Sequence, residues 1–232
     1  MKAKAVALLS GGLDSTTALY AALRQGCDVT ALTVYYGQRH HKEIEFAKET
    51  ALHLRLPHFV VPLAMPWKGS ALLDAQIPMP LGRDETAMAA AIPSTYVPAR
   101  NSVFLSLAAS CAEAVGAGSI LIGANILDYS GYPDCRPEYF AAFEATLQLG
   151  TKAGAEGHGI KIDAPLLYLN KKEIVQLGKK LGVPFERTWS CYQGGEIPCG
   201  LCDSCLLRAK GFQEAGIFDA LQTVSNESSS HV

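Results

Sequence analysis

The sequence predicts an α/β fold: a doubly wound parallel sheet carrying a small four-cysteine zinc module near its C-terminus. Three observations lead there. Short apolar runs alternate with helical patterns through the first 64 residues, a strand–glycine–helix junction opens the chain, and four cysteines crowd into residues 191–205. Strand–helix–strand passages close as right-handed crossovers, which makes the strands parallel. Ligands of such sheets bind beyond the carboxyl ends of the strands.

The junction spans residues 5–17, Ala-Val-Ala-Leu-Leu-Ser-Gly-Gly-Leu-Asp-Ser-Thr-Thr. Ala5 to Leu9 is a continuous apolar run, the pattern of a strand buried on both faces. A helical pattern begins directly after Ser10-Gly11-Gly12. The first N–H groups of that helix have no carbonyl partner and carry partial positive charge, so an anion is favoured there. Gly11 and Gly12 allow positive φ and close approach of a phosphate, and Ser10, Ser15, Thr16 and Thr17 add hydroxyls. Asp14 is then a magnesium ligand or a helix-start charge.

A chain of 232 residues with 49% hydrophobic and 18% charged side chains makes one core, or one core with an appendage. The expected divisions are 1–185 for the nucleotide-binding domain, 186–219 for the cysteine module and its helix, and 220–232 for a polar tail. A formal net charge of −2 gives no general attraction to nucleic acid or to anionic membranes. Neither an apolar run of eighteen residues nor a leader pattern is seen, so no membrane partner and a cytoplasmic location are expected.

Taken in order, Asp28 to Tyr36 is a β-branched and aromatic strand. A helix follows over about 41–55, and a third strand lies within 57–63. Residues 65–98, broken by prolines and glycines, read as a partly mobile cover near the active site. A long helix covers about 101–115 and a fourth strand 119–123. Arg100 at the helix start is opposed by the dipole, which points to an anionic partner such as a phosphate or a carboxylate.

Residues 124–136 follow a strand and therefore share the rim with the phosphate loop. They gather Asn125, Asp128, Tyr129, Ser130, Tyr132, Asp134 and Arg136, a mixture suited to a planar nitrogen-rich heterocycle. A helix at 137–150 and strand character over 160–167 come next. Asn170 and Glu173 then form a capping box for a helix over 171–181, whose lysines read as its wet face.

Cys191, Cys199, Cys202 and Cys205 have the spacing of a metal knuckle, with Gly194, Gly195, Pro198 and Gly200 supplying turns. Four thiolates satisfy tetrahedral zinc. One complete ligand set without a redox motif favours zinc over an iron–sulfur cluster, and the filled shell makes the site structural.

Ser10-Gly-Gly-Leu-Asp-Ser15 resembles the SGGxDS signature of the PP-loop ATP pyrophosphatases, the adenine nucleotide alpha hydrolase-like fold. Tyr35-Tyr-Gly-Gln-Arg-His40, Tyr96-Val-Pro-Ala-Arg-Asn101, Asp128 to Arg136 and the cysteine cluster narrow this. Together, from about residue 4 to 216, they resemble the 7-cyano-7-deazaguanine synthase family of queuosine biosynthesis. Ala99 departs from the glycine usual in that family.

The resemblance implies a homodimer that turns 7-carboxy-7-deazaguanine, ammonia and ATP with Mg2+ into the nitrile. Zinc would be held by the four cysteines. A carboxylate yields to ammonia only after ATP makes one oxygen a leaving group, and dehydrating the resulting amide requires a second activation. The resemblance assigns ATP to Leu9, Ser10, Gly11, Gly12, Leu13, Asp14, Ser15, Thr16, Thr17, Ala18 and Leu19. Ser10, Asp14, Ser15 and Arg100 are the catalytic candidates; Gln38, Arg39, Asp128, Tyr132 and Arg136 are the substrate candidates. Another PP-loop enzyme, acting on tRNA or forming a nucleotide amide, and a zinc-dependent nucleic-acid-binding module are the alternatives.

Overall fold

The computed structural model describes residues 2–127 and 132–221. Five strands form one sheet: β1 (Lys4–Leu8), β2 (Asp28–Tyr35), β3 (His58–Pro62), β4 (Ser119–Leu121) and β5 (Lys161–Asp163). Every neighbouring pair is parallel, in the order β3-β2-β1-β4-β5. The first half winds one way from β1 and the second half the other. The order therefore reverses between β1 and β4, and a crevice opens at their carboxyl ends.

Helices cover both faces. α1 (Leu13–Arg24) and α2 (Lys42–His53) lie on one side. α3 (Glu85–Ala89) belongs to a long connection, and α4 (Arg100–Val115) and α5 (Pro137–Gly150) cover the other side. A one-turn α6 (Lys152–Ala155) precedes β5, and α7 (Lys171–Leu181) and α8 (Asp203–Ala215) return to the first face. One apolar core joins Ala7, Leu19, Ala47, Ile174 and Phe212 under α1, α2, α7 and α8. A second joins Val6, Leu105, Ile120 and Phe140 under α4 and α5.

Local sequence explains most boundaries. Asn170 accepts from the Glu173 N–H and Glu173 accepts from the Asn170 N–H, each at 2.9 Å, which closes the expected capping box of α7. The fifth strand is shorter than expected. It ends at Asp163, two residues before Pro165, which has no N–H to give a ladder. Among the described residues, no helix is long and apolar enough to cross a membrane.

Residues 65–98, expected as a partly mobile cover near the active site, are in part packed into the molecule. Ser70, Ala71, Leu72, Thr95 and Val97 are buried, and with Met65 and Met79 the segment contributes to a third core shared with Trp189, Cys191, Cys202 and Cys205. It is also pinned by polar contacts. Gly82 N–H donates to the Leu201 carbonyl at 2.8 Å, and Arg83 forms an ion pair with the buried Asp203 at the start of α8. Sequence periodicity missed this because the segment has almost no regular structure, and its apolar residues find their partners far away in the chain.

Candidate active site

The crevice between β1 and β4 is lined on one side by the loop after β1 and on the other by residues 122–125 after β4. Gly11 has φ of +82°, and a Cβ there would lie 2.3 Å from the Glu43 carbonyl oxygen. Only glycine lets the loop lie this flat on α2. A Cβ at Gly123 would be 2.7 Å from the backbone nitrogen of Ser15, so the β4 side also approaches as bare backbone.

Within the loop, the Ser10 and Ser15 hydroxyls meet at 2.9 Å, and Ser10 Oγ accepts from the Gly12 N–H at 3.2 Å. Leu9, Ser10, Gly12, Leu13, Asp14 and Ser15 all line the cleft. Thr16, Thr17, Ala18 and Leu19 do not. Each is at most 1% exposed, and the Thr17 hydroxyl donates to the Leu13 carbonyl at 2.8 Å inside the helix. Along 9–19 the cleft lining thus stops at Ser15, because past the first turn this face of α1 is core. Gly11 contributes shape rather than lining: its carbonyl accepts from the Trp189 N–H at 2.9 Å.

Asp14 has a partner that the sequence reading placed on a wet helix face. Lys171 Nζ lies 2.8 Å from both carboxylate oxygens of Asp14, and Asn125 Nδ2 donates to Asp14 Oδ2 at 3.2 Å. Lys171 is the first residue of α7 and only 8% exposed. Gly211 of α8 makes room for its stem, since a Cβ there would be 2.4 Å from Lys171 Cγ. The signal was available: a lysine at a helix N-terminus opposes the dipole, as Arg100 does.

The other wall is aromatic. Arg100 donates to the Tyr36 hydroxyl at 3.4 Å, its guanidinium is 6.0 Å from the Phe104 ring centre, and no carboxylate pairs with it among the described residues. Burial raises the Tyr36 and Tyr132 hydroxyls above the usual tyrosine pKa, so both stay protonated at neutral pH. Tyr132 meets Thr95 Oγ1 at 3.1 Å. Gln38 also lines the cleft, its Oε1 accepting from the Tyr36 N–H at 2.9 Å.

Two substrate candidates are elsewhere. Arg39 turns away and donates to the carbonyls of Asp74 and Ile77 at 2.8 and 3.3 Å, tying down the 65–98 segment. Arg136 is exposed at the start of α5, outside the cleft lining. Asp128 lies outside the described residues. Cys135 lines the cleft, but burial pushes its thiol up to about 11 and Asn101 Nδ2 holds it at 3.3 Å, which fits a structural thiol. Asp134 accepts from the Asn101 N–H at 3.1 Å and places its negative charge at the start of α4, where the dipole favours it.

Ligand atoms of Cys191, Cys199, Cys202 and Cys205 all lie within 4.8 Å of one another. A tetrahedral thiolate site with metal–sulfur bonds of about 2.3 Å needs sulfurs about 3.8 Å apart, and Cys199 and Cys205 are at 4.0 Å. Backbone N–H groups of Cys199 and Cys202 point at Cys191 and Cys199 sulfurs, each at 3.3 Å, as thiolate ligands require. The donor set fits a single metal ion.

The family model for "Queuosine biosynthesis protein QueC" matches residues 4–216. The chain belongs to the QueC family. A QueC-family relative in Trichodesmium erythraeum (strain IMS101), named 7-cyano-7-deazaguanine synthase, is 54% identical over 220 residues, 94% of this chain and 99% of that protein. A relative of the same name in Thermoplasma acidophilum is 52% identical over 219 residues, covering 94% and 91%. Among solved structures, a 4-thiouridine synthetase–RNA complex with bound ATP superposes with a TM-score of 0.50 at 22% identity, over 97% of this chain and 53% of that one. That likeness concerns the PP-loop fold alone.

Proposed function

We propose that this QueC-family protein is an ATP-dependent ligase that converts 7-carboxy-7-deazaguanine and ammonia into 7-cyano-7-deazaguanine. The observation that carries the reading is the shared cleft. The SGGLDS loop, with its Asp14–Lys171 pair, opens on the same crevice as Arg100, a cation with no carboxylate partner among the described residues. A phosphate cradle facing a cation and two protonated tyrosines suits activation of a heterocyclic acid by a nucleotide.

In this reading, Ser10, Gly12 and Ser15 receive the phosphates and Lys171 adds positive charge beside them. Asp14 holds Lys171 in place. Both Asp14 oxygens are engaged by that lysine, so magnesium would arrive coordinated to the triphosphate. Arg100 takes the substrate carboxylate, and Tyr36, Phe104 and Tyr132 pack the base. ATP turns a carboxylate oxygen into a leaving group, ammonia gives the amide, and a second ATP activates the amide oxygen for loss as the nitrile forms. The cysteine site would hold zinc in a structural role, since all four positions are protein thiolates. A cytoplasmic homodimer is part of the same proposal.

The test is a mass-spectrometric assay with 7-carboxy-7-deazaguanine, ammonium and Mg-ATP. The amide should appear first and the nitrile after it. ATP consumption with a different acid only would remove the substrate assignment and leave the phosphate loop standing.

A further inference from the structure

Among the described residues, the cleft is also lined by His40 and Glu43, which the scheme above does not use. His40 is 2% exposed and lines the cleft just past the end of β2. Its Nε2 lies 3.1 Å from Glu43 Oε2, while Nδ1 is buried and has no hydrogen-bond partner. The Glu43 carboxylate fixes the ring: Nε2–H donates to it, leaving the lone pair on Nδ1. The Tyr192 ring packs 5.6 Å from the imidazole on the side of the cysteine segment.

The pair adjoins the phosphate loop. The Glu43 backbone oxygen packs on Gly11, and Glu43 Oε1 is 3.9 Å from the position a Gly12 Cβ would take. Other ionisable groups of the cleft are committed elsewhere. Asp14 is held by Lys171 and Asn125, and Arg208 is paired with Asp219. Tyr36, Tyr132 and Cys135 are raised by burial and hold their protons. A buried ring nitrogen without a hydrogen-bond partner, on a histidine that lines the cleft and is oriented by a carboxylate, is the arrangement of a general base.

We infer that His40, oriented by Glu43, is the base for nitrogen capture, an inference that rests on the reaction proposed above. Ammonia attacks the carbonyl carbon of the ATP-activated acid; the C–N bond forms, and the C–O bond to the phosphoryl leaving group breaks. The proton lost from nitrogen goes to His40 Nδ1. Once that proton has passed to solvent, the same atom takes one of the two amide N–H protons in the second round, as the activated oxygen departs with its phosphoryl group and C≡N forms; the other N–H proton is lost to solvent when the amide oxygen is activated. His40 then contributes to nitrogen chemistry and not to activation of the acid.

That separation is the test. Acid-dependent exchange of labelled pyrophosphate into ATP, without ammonia, reads activation; amide formation with ammonium reads capture. His40→Ala should keep exchange within about threefold and lose amide formation by about 100-fold or more. Glu43→Gln should keep exchange and lose about tenfold in amide formation, since it loosens the ring without removing the base. Thermal unfolding of both variants checks the fold. Amide formation at the unsubstituted rate in His40→Ala would overturn the inference, and so would parallel loss of both activities in folded His40→Ala and Glu43→Gln. Absence of both acid-dependent exchange and amide formation in the unsubstituted protein would instead remove the proposed reaction, and the inference with it.

Discussion

The backbone N–H of Trp189 donates to the carbonyl of Gly11 at 2.9 Å, joining the cysteine segment to the phosphate loop. The Trp189 indole N–H donates to the carbonyl of Cys191, also at 2.9 Å, so one residue bridges a cysteine of the cluster and the glycine loop. Arg208 of α8 clamps both flanks through Thr188 and Ser190. The cysteine cluster therefore shapes the loop that would bind ATP.

Removing the metal should weaken nucleotide binding before it unfolds the protein. With a chelator, the affinity for Mg-ATP is expected to fall about tenfold or more, measured by titration calorimetry at a temperature where circular dichroism is unchanged. Equal affinity in the metal-loaded and metal-free protein would break this link.

Asp14→Asn should reduce turnover by about 100-fold, because Lys171 loses the charge that holds it beside the phosphates. Lys171→Met should be nearly as harmful and should raise the KM for ATP. Steady-state kinetics on the two variants and the double variant check the coupling. Effects that multiply independently would show that the pair does not act as a unit.

Arg208 and Asp219 form an ion pair in which both side chains are 4% exposed. Asp219→Ala should cost about 3–5 kcal/mol, since it strands a buried guanidinium. Replacing the pair together by Met and Leu should cost less. Urea denaturation of the single and double variants decides it, and a double variant less stable than either single would contradict the argument.

Ala99 precedes α4 with φ of 52° and ψ of 27°, in the left-handed region that a side chain disfavours. The chain thus keeps the backbone path to Arg100 where its family resemblance calls for glycine. Ala99→Gly should relieve about 0.5–1 kcal/mol and raise Tm by roughly 2 °C, read by calorimetry. A lower Tm would mean that the stiffness of alanine outweighs the strain.

The sequence by itself determined the parallel sheet, the glycine loop after its first strand and the crowding of four cysteines near residue 200. Each depends on residues close together in the chain: an apolar run meeting two glycines, or cysteines three apart. The tertiary structure decided what those pieces face. Lys171 is 157 positions from Asp14 and looked like a solvated lysine until α7 was laid against α1. Arg39 looked like a ligand-binding cation until the 65–98 segment folded over it and offered its carbonyls. Thr16 and Thr17 looked like phosphate hydroxyls, and helix rotation turned them into the core. Charge and hydroxyl chemistry are written in the sequence, whereas their direction depends on packing between distant elements, which local patterns do not encode.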